Sequence, residues 1–199
     1  HEHVSYYTVK SSYELLKRFG LEIVDAEVVD YHGGSLRVFA KKCGYRKMND
    51  PYMDEAWDVK LYPKIKAMIM DEEGFGLFEE STYEEFMKEL QEKRNKFMKE
   101  IYLIKSEGYS IIGVGAAAKG NTFLNFYNLD KTILDYVTDA SEHKQGKYTP
   151  LTRIPIVDDL IFEKYDKVYA LILSWNISDI IKENLKKIND KIEFLSLPE

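Results

Sequence analysis

Apolar positions change their rhythm twice along this chain of 199 residues. Residues 11–20 carry a short helical pattern, with Ser11 and Ser12 at its start and Gly20 at its end. Residues 21–29 (LEIVDAEVV) and 35–40 (SLRVFA) then read as strands. The turn Asp30-Tyr31-His32-Gly33-Gly34 joins them, which predicts an antiparallel hairpin. Residues 43–62 are polar and irregular. Pro63 starts a modest helix to about Asp71, and Glu73-Gly74-Phe75-Gly76 breaks it.

The pattern over 82–107 is helical and long. Tyr83, Phe86, Met87, Leu90, Phe97, Met98, Ile101 and Ile104 recur at spacings of three and four. Ser81 or Thr82 serves as its cap, and Gly108 closes it. Arg94 interrupts the stripe, either as a snorkelling side chain or as a cation held towards a ligand; we take the first. After Gly108, strands predicted at 110–114, 134–138, 155–157, 168–173 and 193–197 alternate with helices at 119–127 and 178–188. Such alternation means an α/β fold with a mainly parallel sheet covered by helices. Ligands of these sheets bind beyond the carboxyl ends of the strands. Three polar segments fall there: Lys119-Gly120-Asn121-Thr122, Asp139-Ala140-Ser141, and Ser174-Trp175-Asn176.

The passage Gly113-Val114-Gly115-Ala116-Ala117-Ala118-Lys119-Gly120-Asn121-Thr122 leads from strand to helix. Small residues there leave backbone N–H groups open at a helix N-terminus, a setting that attracts phosphate, and Lys119 adds a mobile positive charge. Asn121 stands where a Walker A motif needs lysine, so a P-loop is excluded. Gly113, Gly115 and Ala118 fill the small positions of a dinucleotide fingerprint, with Asp139 as its acid. NAD(P) binding and a tight turn that binds nothing are both compatible with this stretch.

Composition narrows the field. The net charge of −6 is spread over mixed faces without a basic stripe, so no nucleic-acid partner is expected. No apolar run approaches the ~20 residues that cross a bilayer, and no membrane partner is expected. The single cysteine, Cys43, excludes an internal disulfide and a cysteine-based zinc cluster, and no metal site is expected in this chain. We read it as an ordinary thiol in a reducing, cytoplasmic setting.

Three groups of side chains could carry chemistry. His1-Glu2-His3 reads as a metal-ligating pair, as a tag remnant, or as a general base with an orienting carboxylate. The loop Glu142-His143-Lys144-Gln145-Gly146-Lys147-Tyr148-Thr149-Pro150 is rich in donors: Lys144 and Lys147 suit phosphate, and Gln145, Tyr148 and Thr149 can hydrogen-bond. Asn176 is placed to meet a ligand, whereas Trp175 reads as packing.

Five segments, in order, resemble one family: His1-Glu2-His3-Val4-Ser5-Tyr6-Tyr7, His32-Gly33-Gly34-Ser35-Leu36-Arg37-Val38, Gly115 to Thr122, Lys144 to Pro150, and Ser174-Trp175-Asn176. It is the SAM-dependent sugar C-methyltransferases of deoxysugar biosynthesis, and the match covers nearly the whole chain. The continuation Val4-Ser5-Tyr6-Tyr7 argues against the tag reading.

The resemblance implies a plan of zinc-binding, SAM-binding and C-terminal α/β parts, of which this chain shows only the end. Residues 1–42 look like the last helix and hairpin of a class I methyltransferase domain, 43–80 like a linker with a short helix, and 81–199 like a Rossmann-like substrate-binding domain including the long helix. The expected molecule is a fragment. Its S-adenosyl-L-methionine site, and zinc if present, are expected upstream, in the remaining N-terminal part of the same enzyme. The implied substrate is a nucleotide-diphosphate-linked keto-deoxysugar. The implied base is His3, with Glu2 orienting it, and the implied substrate-binding residues are His32, Arg37, Lys119, Asn121, Lys144, Gln145, Lys147, Tyr148, Thr149 and Asn176. An NAD(P)-binding module and a non-catalytic assembly domain are the alternatives.

Overall fold

The computed structural model describes residues 4–31, 33–43, 60–195 and 197–198. The chain forms two compact units, residues 1–86 and 87–199.

The first unit opens with α1 (Val9–Lys17). Thr8 caps this helix, not the serines of the sequence reading: its Oγ1 accepts from Ser11 N–H at 3.1 Å, and Ser11 Oγ accepts from Thr8 N–H at 2.8 Å. Gly20, at φ +65°, turns the chain into β1 (Leu21–Val29), which pairs antiparallel with β2 (Ser35–Lys42) from Leu21↔Lys42 to Val29↔Ser35. Cys43 Sγ donates to Gly20 C=O at 3.0 Å. The helix α2 (Pro63–Gly74), which the sequence predicts as a short helix from Pro63, packs in this unit's core. Its Ile65 is fully buried with Val9, Ile23 and Ala26. Glu72 on α2 also accepts from the N–H groups of Val9 and Lys10, meeting two of the donors that a helix start leaves open.

The long helix α3 (Glu80–Ser106) reaches the second unit at Met87. Of its apolar stripe, Phe97, Ile101 and Ile104 are buried; Tyr83, Phe86 and Met87 are exposed. There follow β3 (Ser110–Val114), α4 (Ala118–Tyr127), β4 (Tyr136–Thr138), β5 (Ile156–Val157), β6 (Val168–Ile172), α5 (Ser178–Ile188) and β7 (Glu193–Leu195). The five strands are parallel, in the order β5-β4-β3-β6-β7. The chain steps outward from β3 twice on one side, then crosses to the other. This is the doubly wound, Rossmann-like arrangement, with its topological switch point between β3 and β6.

Alternate residues of each strand feed two cores. Ile111, Val137 and Leu171 pack with Phe97, Ile101 and Leu124 of the helices on one face. Ile112, Val114 and Ala170 pack with Leu185 of α5 and Phe162 on the other. Phe162 belongs to a 3₁₀ turn, Asp159–Lys164, that the periodicity does not predict, since six residues hold too little pattern. Arg94 donates from Nε to Phe126 C=O at 3.0 Å, at the C-terminal end of α4, where a cation suits the helix dipole.

Candidate functional site at the carboxyl edge of the parallel sheet

Four strand ends converge on one edge of the second unit: Val114-Gly115 after β3, Asp139 after β4, Asp158 after β5 and Ser174 beyond β6. The glycine turn is shaped by its neighbours. Gly115 has φ +95°, and a Cβ there would fall on Ser174 Oγ and 2.8 Å from Ser174 Cβ. A Cβ on Gly120 would lie 2.7 Å from Leu173 Cβ, and one on Gly113 3.0 Å from Leu173 Cδ1. These glycines let β3 and α4 close on the end of β6.

The turn's first open donor already has an anion. Asp139 Oδ2 accepts from Ala116 N–H at 2.9 Å, and Oδ1 accepts from Ser141 N–H at 2.9 Å. Lys144 Nζ completes the cluster at 2.8 Å from Oδ2. Burial pushes the Asp139 carboxyl up, but Lys144 and the two N–H groups outweigh it, and the net shift is below the ordinary value. The acid of the dinucleotide fingerprint is thus committed to the protein's own backbone and lysine.

The other expected contacts divide into three groups. Gln145 Nε2 donates to Asp139 C=O at 3.0 Å and to Asp158 Oδ2 at 3.2 Å, so Lys144 and Gln145 both order the loop around Asp139. Asn121 and Thr149 meet at a cavity of about 50 Å³ beside α4. Thr149 Oγ1 accepts from Ile154 N–H at 2.9 Å, whereas Asn121 Oδ1 is buried without a partner. Lys119, Lys147, Tyr148 and Asn176 are exposed on this edge. No side chain caps α4, and Lys119 stands in its first turn, at the positive end of the dipole, where a cation is unfavourable unless an anion joins it. Arg37 belongs to the first unit and pairs with Glu27 at 3.0 Å. His1, Glu2, His3 and His32 lie outside the described residues.

A second cavity, of about 280 Å³, opens at the switch point on the α5 face. Thr138, Asp139, Asp159, Ser174 and Asn184 supply its polar lining, and Ile177, Ile180 and Ile181 its apolar wall. Burial pushes the Asp159 carboxyl up; nearby Thr138 opposes this, and the charges of Asp158 and Asp139 add to the rise.

Residues 30–196 match the family described as the C-methyltransferase C-terminal domain. The chain belongs to this family. It is also 31% identical over 187 residues to the C-methyltransferase NovU of Streptomyces niveus, an alignment that takes in 94% of this chain and 42% of that protein. The chain therefore spans less than half the length of the relative it matches. In this C-methyltransferase C-terminal domain, the family match runs from just before β2 to just beyond β7. Among the described residues, no helix is long and apolar enough to cross a membrane, and no group of three His, Cys, Asp or Glu side chains could hold a metal.

Asp139 is legible in the sequence as an acid at a strand end, whereas Thr138, Asp159 and Asn184 are not. The signal for their location was the general one, a crevice beyond the strand ends at the switch point. No motif could name them, because they come from three separate segments.

Proposed function

We propose that the chain is the substrate-holding part of a SAM-dependent C-methyltransferase that acts on a nucleotide-linked keto-deoxysugar. Family membership supports the methyltransferase, and one observation carries the ligand class: the uncapped start of α4 with exposed Lys119 in its first turn. Backbone N–H groups and a lysine there suit the diphosphate of a nucleotide-sugar. Asn121 and Thr149 flank that position, and Lys147 and Tyr148 lie exposed on the same loop as Thr149.

The reaction we propose begins with proton removal from the carbon beside the keto group. His3 is the base and Glu2 orients it, and the enolate carbon is then methylated. The glycine turn does not fit S-adenosylmethionine: the space over Gly115 is filled by Ser174, and Asp139, the acid that would meet a ribose, is held by Lys144 and two N–H groups. The cofactor, in this reading, is bound by another part of a longer enzyme, and the present chain alone transfers no methyl group.

Calorimetric titration with dTDP and with NAD, each at low and high salt, tests the reading. Binding of dTDP that weakens with salt and with Lys119→Ala supports it. Tight binding of NAD without dTDP would make the chain a dinucleotide module instead.

A further inference from the structure

We infer that the switch-point cavity on the α5 face binds a neutral ribonucleoside, with Thr138 and Asp159 meeting the ribose hydroxyls and Ile177, Ile180 and Ile181 meeting the base. The inference does not rest on the nucleotide-sugar reading, which concerns the opposite face of the sheet.

The polar floor of this cavity lacks partners. Thr138 is fully buried, and its Oγ1 makes no hydrogen bond. Asp159 Oδ1 is buried and likewise unpartnered. The two side chains are close enough for the hydroxyl to favour the charged carboxylate, yet they are not in hydrogen-bond geometry with each other. A buried polar atom left unmet is costly, so two lining one cavity point to a ligand that satisfies both. A vicinal diol does: one hydroxyl donates to the carboxylate, and the other exchanges a hydrogen bond with the threonine.

Charge excludes an anion. Asp139 and Asp159 line the cavity, and among the described residues no lysine, arginine or histidine does. The nearest phosphate-type donor, Ala116 N–H, is held by Asp139. The lining therefore argues against an anionic ligand. The rest of the lining selects a ring. Ile181 packs into the core beneath, while Ile177 and Ile180 stand at the mouth, 47% and 61% exposed. Asn184 supplies an amide suited to a base edge. The volume of about 280 Å³ lies near the lower end of small-molecule pockets, roughly 300–1,000 Å³. The crevice at the switch point is also where doubly wound sheets take their ligands.

The test is a titration of the 199-residue chain with adenosine, followed through backbone amides by ¹H–¹⁵N NMR. Shifts are expected at 138–140, 159 and 174–184. 2′-Deoxyadenosine should bind about tenfold more weakly, the loss of one hydrogen bond to a buried partner. Thr138→Val should weaken adenosine by a similar factor. Should Thr138→Val not fold, Ile180→Ala, an exposed position, should still bind adenosine a few-fold more weakly. NAD should bind no more tightly than adenosine. The inference is overturned by the absence of shifts at millimolar adenosine, or by equal affinity for the deoxynucleoside. Equal affinity for methyl β-ribofuranoside would overturn the role of the isoleucines, and tenfold tighter NAD would show a dinucleotide site instead.

Discussion

Lys144 Nζ lies 2.8 Å from Asp139 Oδ2, the same oxygen that accepts from Ala116 N–H. One carboxylate thus ties the donor loop to the glycine turn. Its folded-state pKa is below the ordinary 3.8, so the stability it contributes is fully present above the unfolded value. That stability is lost as pH falls through the folded one. Resistance of the wild type to urea should fall as pH drops below about 4, and Asp139→Asn should flatten that slope. An unchanged slope would show that the cluster is not formed in solution. Lys144→Ala, whose side chain is partly exposed, should cost only about 1 kcal/mol or less.

Three glycines separate strain from crowding. Gly146→Ala meets open space at φ +75°, so it should cost only the left-handed penalty of about 1–2 kcal/mol. Gly115→Ala adds Ser174 to the same penalty and should cost more. Gly120→Ala has a gain in helix propensity of about 0.5–1 kcal/mol, set against a Cβ pressed on Leu173, where overpacking costs about 1–3 kcal/mol. Thermal unfolding should rank Gly115→Ala as the least stable of the three; if Gly146→Ala melts lowest, the packing account of the turn fails.

Glu72→Ala removes the acceptor for the N–H groups of Val9 and Lys10. We expect a loss of about 0.5–2 kcal/mol, the usual cost of a missing N-terminal cap. Glu72→Gln keeps one acceptor and should fall between. Hydrogen exchange at Val9 and Lys10 should rise in the alanine variant well before the sheet of the second unit responds.

The base assignment needs a chain extended to the full length of the C-methyltransferases. There, His3→Ala should lower kcat by about 10²–10⁴-fold and leave S-adenosylmethionine affinity nearly unchanged. Deuterium exchange at the substrate carbon beside the keto group, without the methyl donor, should fall with His3→Ala and less with His1→Ala. Full exchange in His3→Ala would move the base to Glu2 or to another residue.

Where pattern is dense, the sequence reading and the structure coincide. β1 spans Leu21–Val29 and α5 spans Ser178–Ile188, as periodicity predicts, because each carries a full amphipathic repeat. The parallel sheet followed from alternation alone. The cap of α1 was misread because Ser11 faces back to Thr8, a reciprocity that residue type does not reveal. Asp139 was legible as an acid at a strand end but not as an internal anion, since its partners Ala116 and Lys144 are joined only by the fold. Thr138 and Asp159 were invisible for the same reason. A short strand and a 3₁₀ turn carry no repeat, and their meeting depends on tertiary packing.

The pairing of Ser110 with Val168 has a consequence for how the chain acquires its structure. The central strand β3 leaves the ribosome before its partner β6, which emerges only after β4, β5 and the 3₁₀ turn. Until then the edge of β3 towards β6 stands open, and Leu173 is not present to seat Gly113 and Gly120. Closure of so long a loop precedes the contacts that reward it, which makes such sheets slow to form and prone to association while they wait. Synthesis rate and chaperone supply should therefore govern the yield of soluble protein more than the equilibrium stability of the finished sheet does.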